Sequence, residues 1–498
     1  MNTPVASTDK LVGRGSTPEA PASPNAITSW AALMAIVYLA FCWLAWDRTL
    51  IPDEIWALMY AERPWAEQIA GIRADLIHPP VFYVLERLWV GLFGLSDFSA
   101  KALPVPINLL AICLFPVLAA RVTKSWRLAS LLLLTVYLHV FSVPHLVRSY
   151  GLVVLLTIVS IWTWDAWRCR PTPARLGVWT MVMSLAVLTH FFCVLLLASF
   201  VLLAWWVGPP RKARALMLAA VIPALIFCAW VIYVFPVYAS RGLSGNLKWV
   251  DPSLVSAVSI VPFHFLTAIP SGSNAVTPDW WDGLPGMKFL VLGAAAVNVL
   301  LIALAFLNRR NEPLDWHWLG PLTVLCFGPA ILLAGISLLM GPAFHTRFLL
   351  GSVPVYWLWV VVVSEQGGTP GKLLLRALIL PAVLLAVVLP LRQDLRESPL
   401  RDAVARILRD RQPGDVVVIA NQIDFQGYWE LRRAGLDIPF VVLPAWPVFQ
   451  RFAAPVEDAP RIWALCRAEC NATVSDRLTQ HVVVLRHGRY LTLLQREK

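Results

Sequence analysis

The sequence predicts an all-α polytopic membrane protein of about eleven spans, with amphipathic helices on its outer face and a small C-terminal α/β domain. Three observations carry this. The chain is 58% hydrophobic and only 14% charged, against about 25% charge in a soluble domain. Several apolar runs exceed the ~18 residues that mark a spanning helix. Beyond residue 392 the long runs stop, and short amphipathic and strand-like segments follow.

Residues 1–27 are rich in Pro, Ser, Thr and Ala and read as a disordered cytoplasmic tail. Lys10 and Arg14 precede the first span and place the N-terminus inside. Span 1 covers roughly 28–46 and exits outside. The stretch "HPPVFYVLERLWVGLFG" is short and carries Glu86 and Arg87, so it is expected to lie along the outer surface as an amphipathic helix. Spans 2 (101–120), 3 (128–146) and 4 (150–167) follow. Spans 5 and 6 meet outside near "LTHFFC", and span 7 (215–237) exits into a long outer segment, 238–285. Spans 8 (286–307), 9 (319–340), 10 (348–364) and 11 (373–391) complete a membrane module over 28–391. With this assignment the basic short loops "RVTKSWR", "RCRPTPAR", "PPRKAR" and "NRRNE" all fall inside.

Residues 392–498 read as an extracytoplasmic domain. "LRDAVARILRD" has a helical pattern, "DVVVIANQ" a strand pattern after a Pro-Gly turn, and "FQGYWELRRAG" a helix closed by Gly435. "DIPFVVLP" and "HVVVLRHGRYLTLLQ" read as strands, the latter with a His-Gly turn. Cys466 and Cys470 lie four apart in "WALCRAEC". On a regular helix their Cα atoms would be roughly 6 Å apart, so a disulfide and two free thiols both stand open. The net charge of +11 sits mainly in the short loops, and no nucleic-acid motif accompanies it.

The polar residues outside the inner loops collect on one side. Asp53, Glu54, Asp75 and His78 occupy the first outer segment, Arg148 and Tyr150 the turn between spans 3 and 4, His190 the outer end of span 5, and His345 and Arg347 the turn between spans 9 and 10. Singly each has an ordinary reading: a solvated helix start, a rigid Pro-Pro turn, an interfacial anchor. Together, ionisable groups at the membrane edge mark function by default. Carboxylates can act as a general base, arginines can hold a phosphate through two parallel hydrogen bonds, and a groove between apolar helices can hold a lipid tail. The set suits displacement of a lipid-linked phosphate by an activated hydroxyl.

Over roughly 28–390 the chain resembles the membrane glycosyltransferases of the C-type (GT-C) fold, the branch with the dolichyl-phosphate-mannose protein mannosyltransferases and the lipid A aminoarabinose transferase. The matching stretches are "PDE" after the first span, "DLIHPPVFY", "LVRSYGL", "LTHFF" and "HTRFLLGSVP". The chain departs from the pattern in having "HLV" before Arg148 and Phe348 in place of a tyrosine. The resemblance implies an inverting transferase in the cell (inner) membrane, working on the extracytoplasmic side with a polyprenyl-phosphate sugar donor and an acceptor glycan, lipid or protein. Asp53 and Glu54 would be the catalytic pair, Asp53 as base and Glu54 orienting. Asp75, His78, Arg148, Tyr150, His190, His345 and Arg347 would bind substrate, with Arg148 or Arg347 stabilising the leaving phosphate. No cofactor is certain; the carboxylates and histidines leave a divalent metal open without a recognisable ligand spacing. The rival reading is a transporter or flippase of a lipid-linked sugar, disfavoured because the charges sit at one membrane edge and not at the midplane.

Overall fold

A computed structural model describes residues 23–75, 78–139, 145–207, 210–241, 261, 265, 287–309, 314–340, 344–388, 399–420, 424–435, 440–443, 459–466, 481–487 and 491–496. Residues 1–22 of the expected tail, most of the outer segment 238–285 and Cys470 lie outside these residues; residues 24–27, expected to be tail, instead form the start of the first helix.

Helix α1 (Pro24–Leu44) begins where the Ser23 side chain accepts from the Ala26 N–H and Pro24 supplies a preset first turn. Four short helices follow: α2 (Pro52–Ala61), α3 (Trp65–Asp75), α4 (Pro80–Phe93) and α5 (Asp97–Ala102). Helices α6 (Pro104–Val122), α7 (Trp126–His139), α8 (Tyr150–Cys169), α9 (Pro173–Val187), α10 (Cys193–Val207) and α11 (Pro210–Arg241) build the first part of the bundle. Helices α12 (Met287–Asn308), α13 (Trp316–Met340), α14 (Val353–Gln366) and α15 (Gly368–Val388) complete it. Each expected span overlaps a described helix, but residues 145–146 of span 3 are not helical. Among the described residues six helices are long and apolar enough to cross a membrane, with α7, α9, α10 and part of α12 as shorter apolar helices. The chain is a multi-pass membrane protein.

Three details differ from expectation. Span 10 does not start as α-helix at 348; Thr346–Ser352 is a 3-10 helix, and α14 starts at Val353 with Pro354 in its first turn. Span 2 is preceded by α5, and Pro104, which has no N–H to donate, opens α6. Helix α7 is described only to His139, and residues 145–149 are non-helical. At 14 residues, α4 is about 21 Å long, short of the ~30 Å hydrocarbon core. It buries Phe82, Tyr83, Glu86 and Val90 and exposes Leu88, Leu92 and Phe93.

The core of the bundle is α14. Its residues 353–364, "VPVYWLWVVVVS", are all buried. A helix apolar on every side has no solvent face to offer, so it sits at the centre with others around it. It ends at a tight hairpin in which Gly368 takes φ +66° and Asn308 Nδ2 donates to the Gln366 carbonyl at 2.8 Å.

The terminal domain has helices α16 (Pro399–Asp410) and α17 (Asp424–Arg433) and five strands: β1 (Val416–Ala420), β2 (Phe440–Leu443), β3 (Arg461–Leu465), β4 (His481–His487) and β5 (Leu491–Arg496). The sheet order is β2-β1-β3-β5-β4; β1 pairs parallel with β2 and β3, and β5 pairs antiparallel with β3 and β4. The structure adds a strand that the sequence pattern did not reveal. Residues 463–465 of "WALCRAEC" belong to β3, not to a helix, and Cys466 just beyond them is disulfide-bonded. Side chains alternate along β1: Val417 and Ile419 join the apolar cluster that runs into the helical bundle, and Val416 and Val418 join a separate one.

Candidate active site at the start of the second helix

Pro52 presets the first turn of α2, and Asp53 and Glu54 place two carboxylates beside its unpaired N–H groups. The two acids then part company. Asp53 is exposed, and Glu54 is fully buried. The Glu54 carboxylate accepts four hydrogen bonds: from Arg48 Nη1 at 2.8 Å and Nη2 at 2.6 Å, from the Ile51 N–H at 2.7 Å and from the Val147 N–H at 2.6 Å. The Ile51 bond is the carboxylate half of a capping box. The Val147 bond ties the head of α2 to the turn that carries Arg148. Arg48 also reaches the His145 carbonyl at 2.9 Å, and the His145 ring stacks on Trp46 at 5.2 Å.

Arg148 is buried beside this clamp. Its Nη1 donates to the Asp53 carbonyl at 3.1 Å, and its Nη2 lies against the His78 ring, 3.1 Å from Nδ1 and 3.3 Å from Nε2. Nδ1 of His78 also lies 3.0 Å from Asp75 Oδ2. Tyr83 donates its hydroxyl to the same carboxylate oxygen. The network assigns one tautomer: Nδ1–H donates to Asp75, and Nε2 accepts from Arg148. Burial lowers the pKa of His78 despite Asp75 beside it, and this keeps the ring neutral. Burial pushes the Asp75 carboxyl up, but His78, Arg148 and the Tyr83 hydroxyl outweigh it and hold the group at about 2. The carboxylate is therefore charged at neutral pH and balances Arg148. The pKa of Arg148 is raised, with burial opposed by the field of Tyr83, Asp53 and Asp75.

The cluster continues through aromatic contacts. The His78 ring centroid is 5.1 Å from His190 and 6.1 Å from Tyr150. His190 lies 6.2 Å from Phe348, which stacks on Phe192 at 3.9 Å and lies 5.8 Å from His345. Tyr150 and His190 also line a small, partly open pocket between α8, α10, α13 and the 3-10 helix. Its other walls include Val153, Leu196, Pro329 and Leu350. The polar cluster therefore opens onto an apolar recess.

Of the residues singled out in the sequence, Asp53, Glu54, Asp75, His78, Arg148, Tyr150 and His190 form one contiguous group. His345 joins only through Phe348. Arg347 falls in the 3-10 helix, and its side chain lies outside the described atoms. Sequence reasoning missed Arg48, Tyr83 and Glu86. Tyr83 stands in the "HPPVFY" stretch, and Arg48 is a cation just past the first apolar run, six residues before Glu54. Glu86 is fully buried with no hydrogen-bond partner for either oxygen among the described residues, and burial raises its pKa well above the ordinary value. Among the described residues no group of three or more His, Cys, Asp or Glu is placed to hold a metal ion.

These features define a helical multi-pass membrane protein with a buried acid–arginine–histidine cluster at the mouth of an apolar cavity. No family model matches the chain. A curated relative, NADH-quinone oxidoreductase subunit N of Chromohalobacter salexigens, is 34% identical over 118 residues; the match spans 24% of this chain and 23% of that protein. Two crystal structures of ArnT from Cupriavidus metallidurans, one in the apo state and one bound to undecaprenyl phosphate, are similar to it over 94% of this chain and 98% of theirs. Their TM-scores are 0.47 and 0.45, at 16% and 15% identity. Scores below 0.5 leave function to be argued from the side chains.

Proposed function

We propose that the chain is an inverting membrane glycosyltransferase that moves a sugar from a polyprenyl-phosphate donor to an acceptor hydroxyl on the extracytoplasmic face. The observation that carries the proposal is the chain of contacts just described: the residue bearing the exposed Asp53 carboxylate touches the buried Arg148 guanidinium, Arg148 touches His78, and His78 lies against Tyr150 and His190, which line the apolar pocket. The motifs shared with the GT-C enzymes support the same reading.

In this mechanism the Asp53 carboxylate takes the proton of the acceptor hydroxyl. The hydroxyl oxygen bonds to the anomeric carbon as the carbon–oxygen bond to phosphate breaks. The bonding pair leaves with the phosphate, whose growing charge Arg148 meets with a guanidinium already held by His78 and the Asp53 carbonyl. Fixing donors before the charge develops is what makes such stabilisation effective. Asp75 and Tyr83 hold His78. Glu54, saturated by four protein donors, positions Asp53. Tyr150 and His190 stand at the cavity mouth, where the first units of the prenyl chain would enter, and Arg347 and His345 complete the phosphate side. The eleven spans, the inside placement of the basic loops and the boundaries 28–391 and 392–498 belong to this proposal.

The test is mass spectrometry of surface glycans from cells with and without the gene, complemented by wild type or Asp53→Asn. Loss of one glycan modification, restored by wild type and not by Asp53→Asn, is the expected result. An unchanged glycan profile alongside altered distribution of a lipid-linked sugar between leaflets would favour the flippase reading.

A further inference from the structure

The terminal domain is seated on the helix that carries the acids. Arg432 of α17 makes a two-pronged ion pair with Glu62, which caps the C-terminal end of α2, at 2.6 and 2.7 Å. Trp429 Nε1 donates to Asp97 Oδ1 at 3.2 Å. The other oxygen of Asp97 accepts from Lys101 Nζ at 2.7 Å. That fully buried ammonium also donates to the carbonyls of Trp46 at 2.7 Å and Arg48 at 2.6 Å. Arg48 in turn grips Glu54. Tyr428, Trp429 and Leu431 are buried in the same apolar cluster as Ile55 and Leu58 of α2.

These contacts hold α2 at both ends. Its C-terminal end is pinned directly by Arg432. Its N-terminal end is pinned through a relay of charged groups, from Trp429 through Asp97 and Lys101 to the backbone of the residue whose side chain clamps Glu54. A short helix held at both ends has one axial position, and Asp53 stands on its first turn.

We propose that the terminal domain is a positioning element for the acceptor base: Trp429 and Arg432 fix the placement of α2, and through it the distance of Asp53 from the reacting sugar. The proposal rests on the reading of Asp53 as base. Displacing a base by about 1 Å can cost about 100-fold in rate. A domain without a catalytic group of its own can therefore control turnover, and its release from α2 would switch the site off with every catalytic side chain intact.

The experiment uses the full chain in detergent micelles or nanodiscs. Trp429→Phe keeps the buried ring and loses only the N–H. Arg432→Glu and Glu62→Arg each break the ion pair, and the double variant rebuilds it with the charges exchanged. Amide hydrogen exchange over 53–61 should quicken about threefold to tenfold in each single variant, the equilibrium counterpart of one lost hydrogen bond. Exchange within α17 should stay unchanged, and the double variant should recover. Transfer from a polyprenyl-phosphate sugar donor should show a lowered kcat with donor KM within about twofold, again recovered in the double variant. Unchanged exchange over 53–61 in Trp429→Phe and Arg432→Glu overturns the proposal, as does a loss that the charge exchange fails to restore. Failure of the underlying reading is separate: Asp53→Asn would then retain transfer, and the exchange data would still decide whether α17 holds α2.

Discussion

Asp53 and Glu54 are adjacent in sequence and opposite in circumstance. One faces solvent, and the other accepts four hydrogen bonds in the interior. Asp53→Asn is isosteric and removes only basicity, so transfer should fall by about 10²–10⁴-fold with the protein still folded; activity within threefold of wild type would remove the residue from the role. Arg148→Lys keeps the charge and loses the planar fork that reaches the Asp53 carbonyl and His78 together. Donor affinity should fall by about tenfold or more, with acceptor KM little changed; equal effects on both substrates would argue against a phosphate-binding role. Glu86 provides a pH test. Its folded pKa lies above the ordinary 4.5, so the folded state holds its proton more tightly than the unfolded chain. Its contribution to stability is complete below about pH 4.5 and declines as pH rises toward the folded value, by at most about 1.4 kcal/mol per pH unit. Glu86→Gln removes that decline. Thermal unfolding of the two proteins should diverge in favour of the variant as pH rises above about 4.5, and parallel curves would show that Glu86 is charged in the fold.

At the scale of elements, most of what the sequence spelled out was punctuation. Prolines open α2, α4, α6 and α9, and Gly435 at φ +64° follows α17. The four consecutive valines of α14 favour strand by propensity, and burial on every side overrides them. The 3-10 helix before α14 and strand β3 were not legible: one is a matter of local winding, and the other shows no alternation of polar and apolar residues. Packing between elements is legible only in the structure. A Cβ on Gly151, at the start of α8, would run into the side-chain oxygen of Asn108 on α6, whose amide donates to Tyr38 of α1 at 2.8 Å. Gly151→Ala should therefore destabilise the contact of α1, α6 and α8 by about 1–3 kcal/mol, read as a lowered midpoint of thermal unfolding in detergent. No change would mean that Asn108 swings aside freely.

For the whole molecule, the proposed topology makes a prediction of its own. Arg170, exposed in "RCRPTPAR", and Arg411, exposed in the terminal domain, should lie on opposite sides of the membrane. In a Cys169→Ser background, with Arg170→Cys and Arg411→Cys in separate proteins, a membrane-impermeant thiol reagent added outside intact cells should label only the second. Labelling of Arg170→Cys alone would invert the topology and place the site in the cytoplasm. The sequence by itself determined the class of the molecule, because apolar runs of spanning length and basic short loops are properties of consecutive residues. It also marked the acids, histidines and Arg148 as unusual, because charge at a membrane edge is costly wherever the chain then goes. Only the tertiary structure decided which acid is exposed and which is spent on structure, since that depends on Arg48 and Val147 arriving from either side of α2. It alone placed Glu86 in the interior without a hydrogen-bond partner among the described residues and set α17 against α2 from more than 350 positions along the chain, because such contacts are fixed by how helices pack and leave no period in the sequence.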